Sequence, residues 1–274
     1  MNILNNKNSR TIVNIIGVPT ILFCIYVGDN QNIPFYSLFI GVVLYCALIE
    51  YRNLIKRHNG EILFSVLLCT ISIIQIIRFW YIDEYFKMTS YIYTTCMLFG
   101  VLILCIEIFR KSSKPLFNIM ASLFGFFWIG LMLGSLALIR EFGFEETLIM
   151  FISVWIADTC AYGFGSQFGE SKILPNISPN KTWIGSISGY LGALVTLIVF
   201  NYYYNHIFDL TDIICLSIVF GIFSQLGDFV ESLLKREVGI KDMGNLLRGH
   251  GGMLDRFDSM FLVAPLTFLY YFIF

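Results

Sequence analysis

Long uninterrupted runs of apolar residues recur through the whole sequence and constrain its fold more than any other feature. A helix needs roughly 20 apolar residues to cross a hydrocarbon core about 30 Å thick, and the chain offers about nine such runs. They fall at 11–28, 33–49, 61–80, 89–106, 116–139, 147–165, 183–204, 212–233 and 257–274. Transmembrane β-strands would alternate over roughly ten residues. The continuous runs therefore predict an all-α, polytopic membrane helical bundle of about nine transmembrane helices.

Composition supports lipid as the main solvent of the chain. Of the 274 residues, 57% are apolar and only 14% are charged, which is far from the balance of a soluble domain. The net charge of -1 provides no overall basic field, so nucleic acid is not an expected partner. The seven cysteines lie inside the apolar runs without the spacing of a metal site, so we interpret them as small hydrophobic residues.

The basic residues indicate how the spans are oriented. With nine spans and a cytoplasmic N-terminus, 15 of the 18 lysines and arginines fall on the cytoplasmic side, as the positive-inside rule requires. They are Lys7, Arg10, Arg52, Lys56, Arg57, Arg110, Lys111, Lys114, Lys172, Lys181, Lys235, Arg236, Lys241, Arg248 and Arg256. The outer connections instead carry acidic residues, among them Glu141 and Asp209. We predict a multi-pass protein of the cytoplasmic (inner) membrane.

The eighth apolar run differs from a simple anchor because its cytoplasmic end is charged. Four polar residues are spaced i, i+3, i+4 and i+7, so they share one face of a helix. They are Asp228, Glu231, Ser232 and Lys235. Ionisable residues at such a depth normally face a bundle interior or a water-filled cavity and mark a functional site. An interfacial helix end with snorkelling Lys235 and Arg236 is the alternative for those two residues, but it does not explain Asp228.

A glycine-rich, charged segment follows this helix, between residues 239 and 259. Glycines at 249, 251 and 252 would let backbone N–H groups approach a ligand closely, and a helix is expected to begin shortly afterwards. Lys241, Arg248 and Arg256 supply positive charge in the same segment. The segment is therefore a candidate phosphate cradle.

Two further carboxylates belong to this segment. Asp255 and Asp258 are spaced i and i+3, and we expect them to open the ninth helix on the side of Asp228. Carboxylates beside a cluster of cations suit Mg²⁺ on a polyphosphate, because Mg²⁺ typically takes one or two carboxylates plus phosphate oxygens. The alternative is an acidic first helical turn that the helix dipole favours.

Three motifs lie within about the C-terminal 120 residues. The first is D-x-x-A-Y, from Asp158 to Tyr162, and the second is S-P-x-K-T-W, from Ser178 to Trp183. The third consists of S-x-x-K-R, K-D and H-G-G-x-x-D-R-x-D, between Ser232 and Asp258. Together they resemble the signature segments of phosphatidate cytidylyltransferases, whereas the first five spans match that family only in character.

The resemblance implies a reaction and a set of site residues. The reaction would transfer a cytidylyl group from CTP to phosphatidic acid within the lipid bilayer and release pyrophosphate, with Mg²⁺ as cofactor and the active site facing the cytoplasm. The expected catalytic residues are Asp228, Lys235, Arg236, Lys241, Asp242 and Asp255. The expected substrate-binding residues are Asp158, Ser178, Lys181, Thr182, Ser232, His250, Gly251, Gly252 and Arg256, and the expected metal ligands are Asp228, Asp255 and Asp258.

The expected organisation follows from these assignments. We predict a single integral membrane domain over 1–274, with N-terminal transmembrane helices in 1–145 and the C-terminal transmembrane catalytic region in 146–274. We expect His250 to organise its loop or to donate to phosphate rather than to act as a base. The sequence leaves open whether the chain forms a homodimer.

The sequence departs from the family pattern at three positions. Ile184 stands where Glu is usual, Arg248 where Pro is common, and Met243 where a small residue is usual. The departure at Ile184 argues against an acid role there, and it leaves the predicted metal and phosphate groups intact.

Two other functions are compatible with the charged residues. In an ion- or proton-coupled transporter, Asp158, Asp228 and Asp255 would form a relay through the bundle. The concentration of polar residues at one membrane face favours instead an active site that opens at the surface. A CTP-dependent enzyme acting on a polyprenol or another membrane lipid is the closer alternative.

Cysteine labelling tests the predicted orientation. In a variant without the seven native cysteines, Lys241→Cys should resist a membrane-impermeant thiol reagent in intact cells, because that loop is predicted to be cytoplasmic. The matched position Glu141→Cys, predicted to lie outside, should react with it. Labelling at 241 would show that the orientation is wrong.

Overall fold

The described residues form a helical protein. The structure is a computed structural model that describes residues 16–29, 34–80, 85–204, 207–244 and 251–274. In chain order its helices are α1 (Ile16–Val27), α2 (Phe35–Arg57), α3 (Phe64–Trp80), α4 (Tyr85–Arg110), α5 (Pro115–Gly125), α6 (Leu136–Phe142), α7 (Phe144–Phe168), α8 (Trp183–Tyr203), α9 (Leu210–Ile218), α10 (Ser224–Val238) and α11 (Met260–Ile273). The described ranges contain isolated bridges but no β-strand, which confirms the all-α prediction.

Two of the apolar stretches contain irregular helical turns. A π-helical turn (Phe126–Met132) and a 3-10 turn (Leu133–Ser135) connect α5 to α6, so that Pro115–Phe142 is one helical stretch. A second π-helical turn (Val219–Phe223) joins α9 to α10. Six stretches in the described part of the chain are long and apolar enough to cross a membrane, and three shorter apolar helices accompany them. The fold is that of a multi-pass membrane protein, and the count of nine spans stays a prediction.

Local sequence explains where several of these helices begin and end. Thr182 caps the start of α8, because its side-chain oxygen accepts a hydrogen bond from the Gly185 N–H at 3.1 Å. At the end of α10, Gly239 adopts a left-handed conformation with a φ of 68°, which a glycine accommodates without steric cost. Because α10 ends at this glycine, its charged residues from Asp228 to Arg236 lie within the helix rather than in a loop.

One predicted helix start is wrong. We expected Asp255 and Asp258 to open the last helix, but α11 begins at Met260, and Leu254–Arg256 forms a separate 3-10 turn. The reason is a side-chain contact that sequence spacing does not reveal. The Asp255 carboxylate accepts hydrogen bonds from the backbone N–H groups of Met243 and Gly252, at 2.9 and 2.6 Å, so it organises a loop instead of a helical turn.

The chain divides into two compact units. The first comprises residues 1–141 together with 242–255, and the second comprises 142–241 together with 256–274. The loop that contains Asp255 therefore folds with the N-terminal helices, although the helices on either side of it in the sequence belong to the second unit.

Hydrogen bonds in the first unit bring the loops after α2 and α4 together. At one end Lys114 donates to the His58 carbonyl at 3.2 Å, and Arg110 forms an ion pair with Glu61. The two basic connections after α2 and α4 are thus on the same side, as the orientation prediction requires of them. Elsewhere in this unit Arg140 donates to the Ile25 carbonyl at 3.0 Å.

Small residues bring α7 and α8 close together in the second unit. A Cβ atom added at Gly185 would lie 2.7 Å from the Ala161 carbonyl oxygen, and one at Gly189 would lie 3.1 Å from that of Ala157. Such close backbone approach is typical of packed membrane helices, which associate through small residues. The contact fixes the two helices that carry Asp158 and the segment after Lys181.

This packing makes a testable difference between two glycines. Gly185→Ala should destabilise the protein by about 1–3 kcal/mol, because its methyl group has no space against the backbone of α7, and should lower the melting temperature in detergent by about 2 °C or more. Gly163→Ala is the matched control, since no atom lies within 4 Å of a Cβ added there. Equal melting temperatures for the two variants would contradict this description of the interface.

Candidate active site

The loop between α7 and α8 folds back on itself and carries Lys181 to α10. Ile173 N–H donates to the Lys181 carbonyl at 3.2 Å, and Trp183 N–H donates to the Ser171 carbonyl at 3.1 Å. Arg236 of α10 binds this loop through a hydrogen bond, because its Nε donates to the Ile177 carbonyl at 3.1 Å. These backbone contacts hold the S-P-x-K-T-W motif in one conformation.

The side chain of Lys181 contacts three residues of α10. Its ammonium nitrogen lies 2.5 Å from an oxygen of Asp228 and 3.3 Å from the Gln225 carbonyl oxygen. It also lies 4.4 Å from the centre of the Phe229 ring, where a cation is attracted by the ring face. Both members of the ion pair remain partly accessible, with 24% and 31% of the Lys181 and Asp228 side chains exposed, so a substrate can reach them.

Carboxylates from three segments of the second unit surround this ion pair. Asp158 lies on α7 and accepts a hydrogen bond from the Ser259 side chain. Asp258 lies in the turn before α11, which packs so closely on α10 that a Cβ atom at Gly227 would lie 2.6 Å from the Asp258 carbonyl oxygen. Burial and, after it, the negative charges of three neighbouring carboxylates raise the pKa of Asp258 well above its ordinary value. Those carboxylates belong to Asp228, Glu231 and Asp158.

Negative charge held together in this way is suited to a hard cation. Removing carboxylates from water and placing them side by side disfavours their charged forms, and a cation would reverse that effect. In the described ranges no three carboxylate, imidazole or thiol groups are arranged to enclose a metal ion. Mg²⁺ does not need such a cage, because it usually keeps water molecules and binds one or two carboxylates plus substrate phosphate. The donor set therefore fits a Mg²⁺ ion that also binds phosphate oxygens.

The exposed end of α10 supplies further cations. Lys235 lies 3.1 Å from the buried carboxylate of Glu231, one helical turn before it, and 15% of the Lys235 side chain is exposed. Arg236 is exposed, as is Lys241 just after the helix. The polar face expected on α10 is therefore present, and its basic residues extend beyond the ion pair.

The glycine-rich segment of the first unit has a different organisation from the expected one. The Gly252 N–H donates to Asp255, so a carboxylate of the protein itself takes the amide that we expected to bind phosphate. Gly251 has a φ of 77°, a left-handed backbone conformation that glycine adopts without steric cost. His250 and Arg248 lie outside the described residues. Met243, a departure from the family pattern, is buried and donates its N–H to Asp255.

The structure groups the predicted site residues by unit. The second unit brings together Asp158, Lys181, Asp228 and Asp258, with Ser178, Ser232, Lys235 and Arg236 on the same loop and helix. Thr182 is 2% exposed and serves as a helix cap. Exposed Arg256 and Lys241 belong to the second unit, whereas Asp242, Gly251, Gly252 and Asp255 belong to the first. The roles of all these residues in substrate binding and catalysis stay predictions.

Two residues that contact the predicted site residues or their loop were not themselves predicted. Gln225 supplies the carbonyl contact to Lys181 and donates its side-chain amide to the Ser186 carbonyl at 3.1 Å. Glu50, on α2, binds the glycine-rich loop of the first unit. The available signal for Glu50 was an acidic residue directly after the apolar run 33–49, where a charge at membrane depth suggests a functional site.

The fold and this site define a multi-pass membrane protein with paired acidic and basic groups suited to phosphate chemistry. Residues 8–274 match the model of a family described as the cytidylyltransferase family. The chain belongs to this family.

Curated relatives include two staphylococcal proteins named phosphatidate cytidylyltransferase. The protein of Staphylococcus haemolyticus (strain JCSC1435) is 45% identical over 127 residues, which cover 46% of this chain and 49% of the relative. That of Staphylococcus aureus (strain COL) is 42% identical over 127 residues, with the same coverage of 46% and 49%. The chain thus spans about half the length of these relatives.

Ile184 lies on an apolar groove rather than among the charged groups. It is 44% exposed and lines a groove of about 990 Å³ along α7 and α8, together with Ile156, Phe164 and Ile187. A glutamate there would add a charge without replacing any contact of Lys181 or Asp228. The usual acid at this position is therefore dispensable for the cluster.

We expect Ile184→Glu to change the turnover number by less than about threefold, because it removes no transition-state contact. Ile187→Glu, on the same groove, controls for the general effect of a charge on this surface. Steady-state kinetics of the three proteins make the comparison. An inactive parent protein whose activity is restored by Glu at 184 would reject the prediction.

Proposed function

We propose that this protein transfers CMP from CTP to phosphatidic acid, giving CDP-diacylglycerol and pyrophosphate in the cytoplasmic membrane as a step of phospholipid biosynthesis. Membership of the cytidylyltransferase family and the names of the relatives support this proposal. The observation that carries it is the Lys181–Asp228 pair with Asp158 and Asp258 around it. Such a cluster combines cations for phosphates with carboxylates for a divalent metal.

The chemistry is a displacement at the α-phosphorus of CTP. An oxygen of the phosphatidate phosphate forms a new bond to that phosphorus, and the bond from the α-phosphorus to the bridging oxygen of the β-phosphate breaks. The electron pair leaves with pyrophosphate. A phosphate monoester is largely ionised near neutral pH, so no side chain has to remove a proton. Catalysis then depends on position and on neutralising charge.

The basic residues would supply most of that neutralisation. Lys181 is held in place by Gln225 and Phe229 as well as by Asp228, so it is already positioned when a phosphate arrives. Arg236 is fastened through its Nε. We assign phosphate binding to these two residues and to Lys235, Lys241 and Arg256.

The acidic residues would hold Mg²⁺. We assign this role to Asp228 and Asp258 in the second unit and to Asp255, which the sequence resemblance includes. Bound Mg²⁺ would neutralise phosphate oxygens and favour departure of pyrophosphate. The remaining carboxylate, Asp158, would keep Lys181 and Asp228 oriented by its charge and by its hydrogen bond from Ser259.

Two alternatives have less support. A transporter relay is not favoured by membership of a cytidylyltransferase family. A CTP-dependent enzyme acting on another membrane lipid shares all the residues discussed, because the phosphate of the acceptor would meet the same cations. The choice of phosphatidic acid rests on the named relatives.

One assay distinguishes these functions. Purified protein in detergent receives CTP labelled in the cytidine moiety and Mg²⁺, with phosphatidic acid, with a polyprenol, or with no acceptor. Labelled CDP-diacylglycerol only with phosphatidic acid is the expected result. A labelled polyprenyl product would identify the other enzyme, and the absence of any lipid product would reject both.

Neutralising the proposed metal ligands should abolish most of this activity. Asp228→Asn and Asp255→Asn keep the size of each side chain but remove the charge that attracts Mg²⁺, so each should lower turnover by at least about 10²-fold. Each should also raise the Mg²⁺ concentration needed for half-maximal rate. Asp228→Asn should still fold, because Lys181 retains its contacts with Gln225 and Phe229. Asp255→Asn is assayed as purified folded protein, because Asp255 also accepts hydrogen bonds from two backbone amides of its loop.

The matched control is Asp209→Asn. Asp209 is an exposed acid at the N-cap of α9, a position that asparagine fills as well as aspartate. CDP-diacylglycerol formation is measured against Mg²⁺ concentration for all folded variants. Turnover close to that of the control, with an unchanged Mg²⁺ midpoint, would remove Asp228 or Asp255 from the proposed site.

A further inference from the structure

Glu50 is a buried carboxylate in the transmembrane helix α2. Only 6% of the residue is exposed, and its two carboxylate oxygens accept hydrogen bonds from successive backbone amides of the glycine-rich loop. One oxygen is 2.8 Å from the Met253 nitrogen, and the other is 2.9 Å from the Leu254 nitrogen. A carboxylate in an apolar helix is costly unless it is hydrogen-bonded, and these two amides satisfy it.

Two glycines, one on each side of the undescribed residues 245–250, lie against this carboxylate. A Cβ atom added at Gly244 would lie 2.4 Å from Glu50 Oε1, and one added at Gly252 would lie 2.3 Å from both Glu50 oxygens. Neither glycine has a positive φ, so an alanine could adopt either backbone conformation. Glycine fits at these two positions because a larger residue would collide with the Glu50 carboxylate.

Glu50 and Asp255 each accept hydrogen bonds from two described backbone amides of the loop. Asp255 accepts from Met243 and Gly252, and Glu50 accepts from the next two residues, Met253 and Leu254. The three consecutive amides from 252 to 254 thus point toward two carboxylates. Because Asp255 directly follows the amides held by Glu50, a shift of those amides would shift the Asp255 backbone as well.

We propose that Glu50 is a positioning residue that fixes residues 252–254 and thereby the carboxylate of Asp255. The inference rests on the proposed function for the role of Asp255 as a metal ligand, while the hold on the loop follows from the contacts above. It gives the N-terminal helices a part in the reaction, because the group that orients the loop comes from α2.

The central variant is Glu50→Gln. Glutamine keeps the length of the side chain but has a single acceptor oxygen, and its NH₂ group would face a backbone N–H, so one of the two hydrogen bonds is replaced by a donor–donor contact. The matched control is Glu107→Gln. Glu107 is also a buried acid of the first unit, 5% exposed, but it accepts from Asn118 at 2.7 Å.

Hydrogen exchange measures the hold on the loop without any activity assay. Amide exchange in a peptide covering 251–256 should become at least about tenfold faster in Glu50→Gln, because one of the amides of Met253 and Leu254 loses its acceptor. The Glu107→Gln variant should exchange in this peptide like the parent. Unchanged exchange in Glu50→Gln would overturn the inference whether or not the protein makes CDP-diacylglycerol.

Kinetic measurements then test whether the hydrogen bonds from the loop to Glu50 matter for the reaction. Glu50→Gln should lower kcat at least about tenfold and raise the Mg²⁺ midpoint, while the KM for phosphatidic acid changes little. A merely structural role would reduce the yield of folded protein and leave the Mg²⁺ midpoint as in the Glu107→Gln control. Faster loop exchange with normal kcat and a normal Mg²⁺ midpoint would overturn the positioning role.

A second variant reaches the same contact from the loop. Gly244→Ala leaves Glu50 unchanged but places a methyl group against its carboxylate, so it should reproduce the faster exchange and the raised Mg²⁺ midpoint. Failure of Gly244→Ala to alter either quantity would contradict the proposal. An inactive parent protein would reject the proposed function, and the exchange comparison would still decide whether Glu50 holds the loop.

Discussion

A charged group inside a membrane protein must find a partner within the protein, because hydrocarbon supplies none. The buried acids described above obey this constraint in three ways. Glu50 accepts from backbone amides, Glu107 accepts from an asparagine, and Glu231 pairs with a lysine one turn away. The buried Arg78 donates to the Gly134 carbonyl at 2.7 Å, within the 3-10 turn that interrupts the helix after α5. Each pairing fixes the position of a segment that lipid alone would leave undefined.

The same constraint separates structural acids from those of the candidate site. Asp228 and Lys181 satisfy each other yet keep access to solvent, and Asp258 is surrounded by other carboxylates more than by cations. A structural ion pair would be expected to balance its charges. The excess of negative charge beside Lys235 and the exposed Arg236 is the arrangement that a metal-bound polyphosphate would complete, because it adds a divalent cation and several phosphate oxygens together.

Sequence predicts the part of this site that depends on local geometry. The shared face of Asp228, Glu231 and Lys235 followed from helical periodicity, and the structure places all three on α10. The start of the last helix was predicted wrongly, because the Asp255 side chain bonds to amides that only the folded loop brings near it. The contact of Glu50 with Leu254 joins residues 204 positions apart. No spacing rule reaches that far, so the sequence could mark Glu50 only as an acid at the end of an apolar run.

The N-terminal helices are therefore more than anchors for a C-terminal catalytic region. The segment from Asp242 to Asp255 is placed in the sequence between α10 and α11, yet it folds with the first unit, where an acid of α2 binds its backbone. A substitution in α2 can thus alter a loop that contains signature residues without touching any of them. The family model matches the N-terminal helices as well, and Glu50 is the position through which α2 contacts this loop. The Glu50 carboxylate occupies the space that a side chain at Gly244 or Gly252 would need.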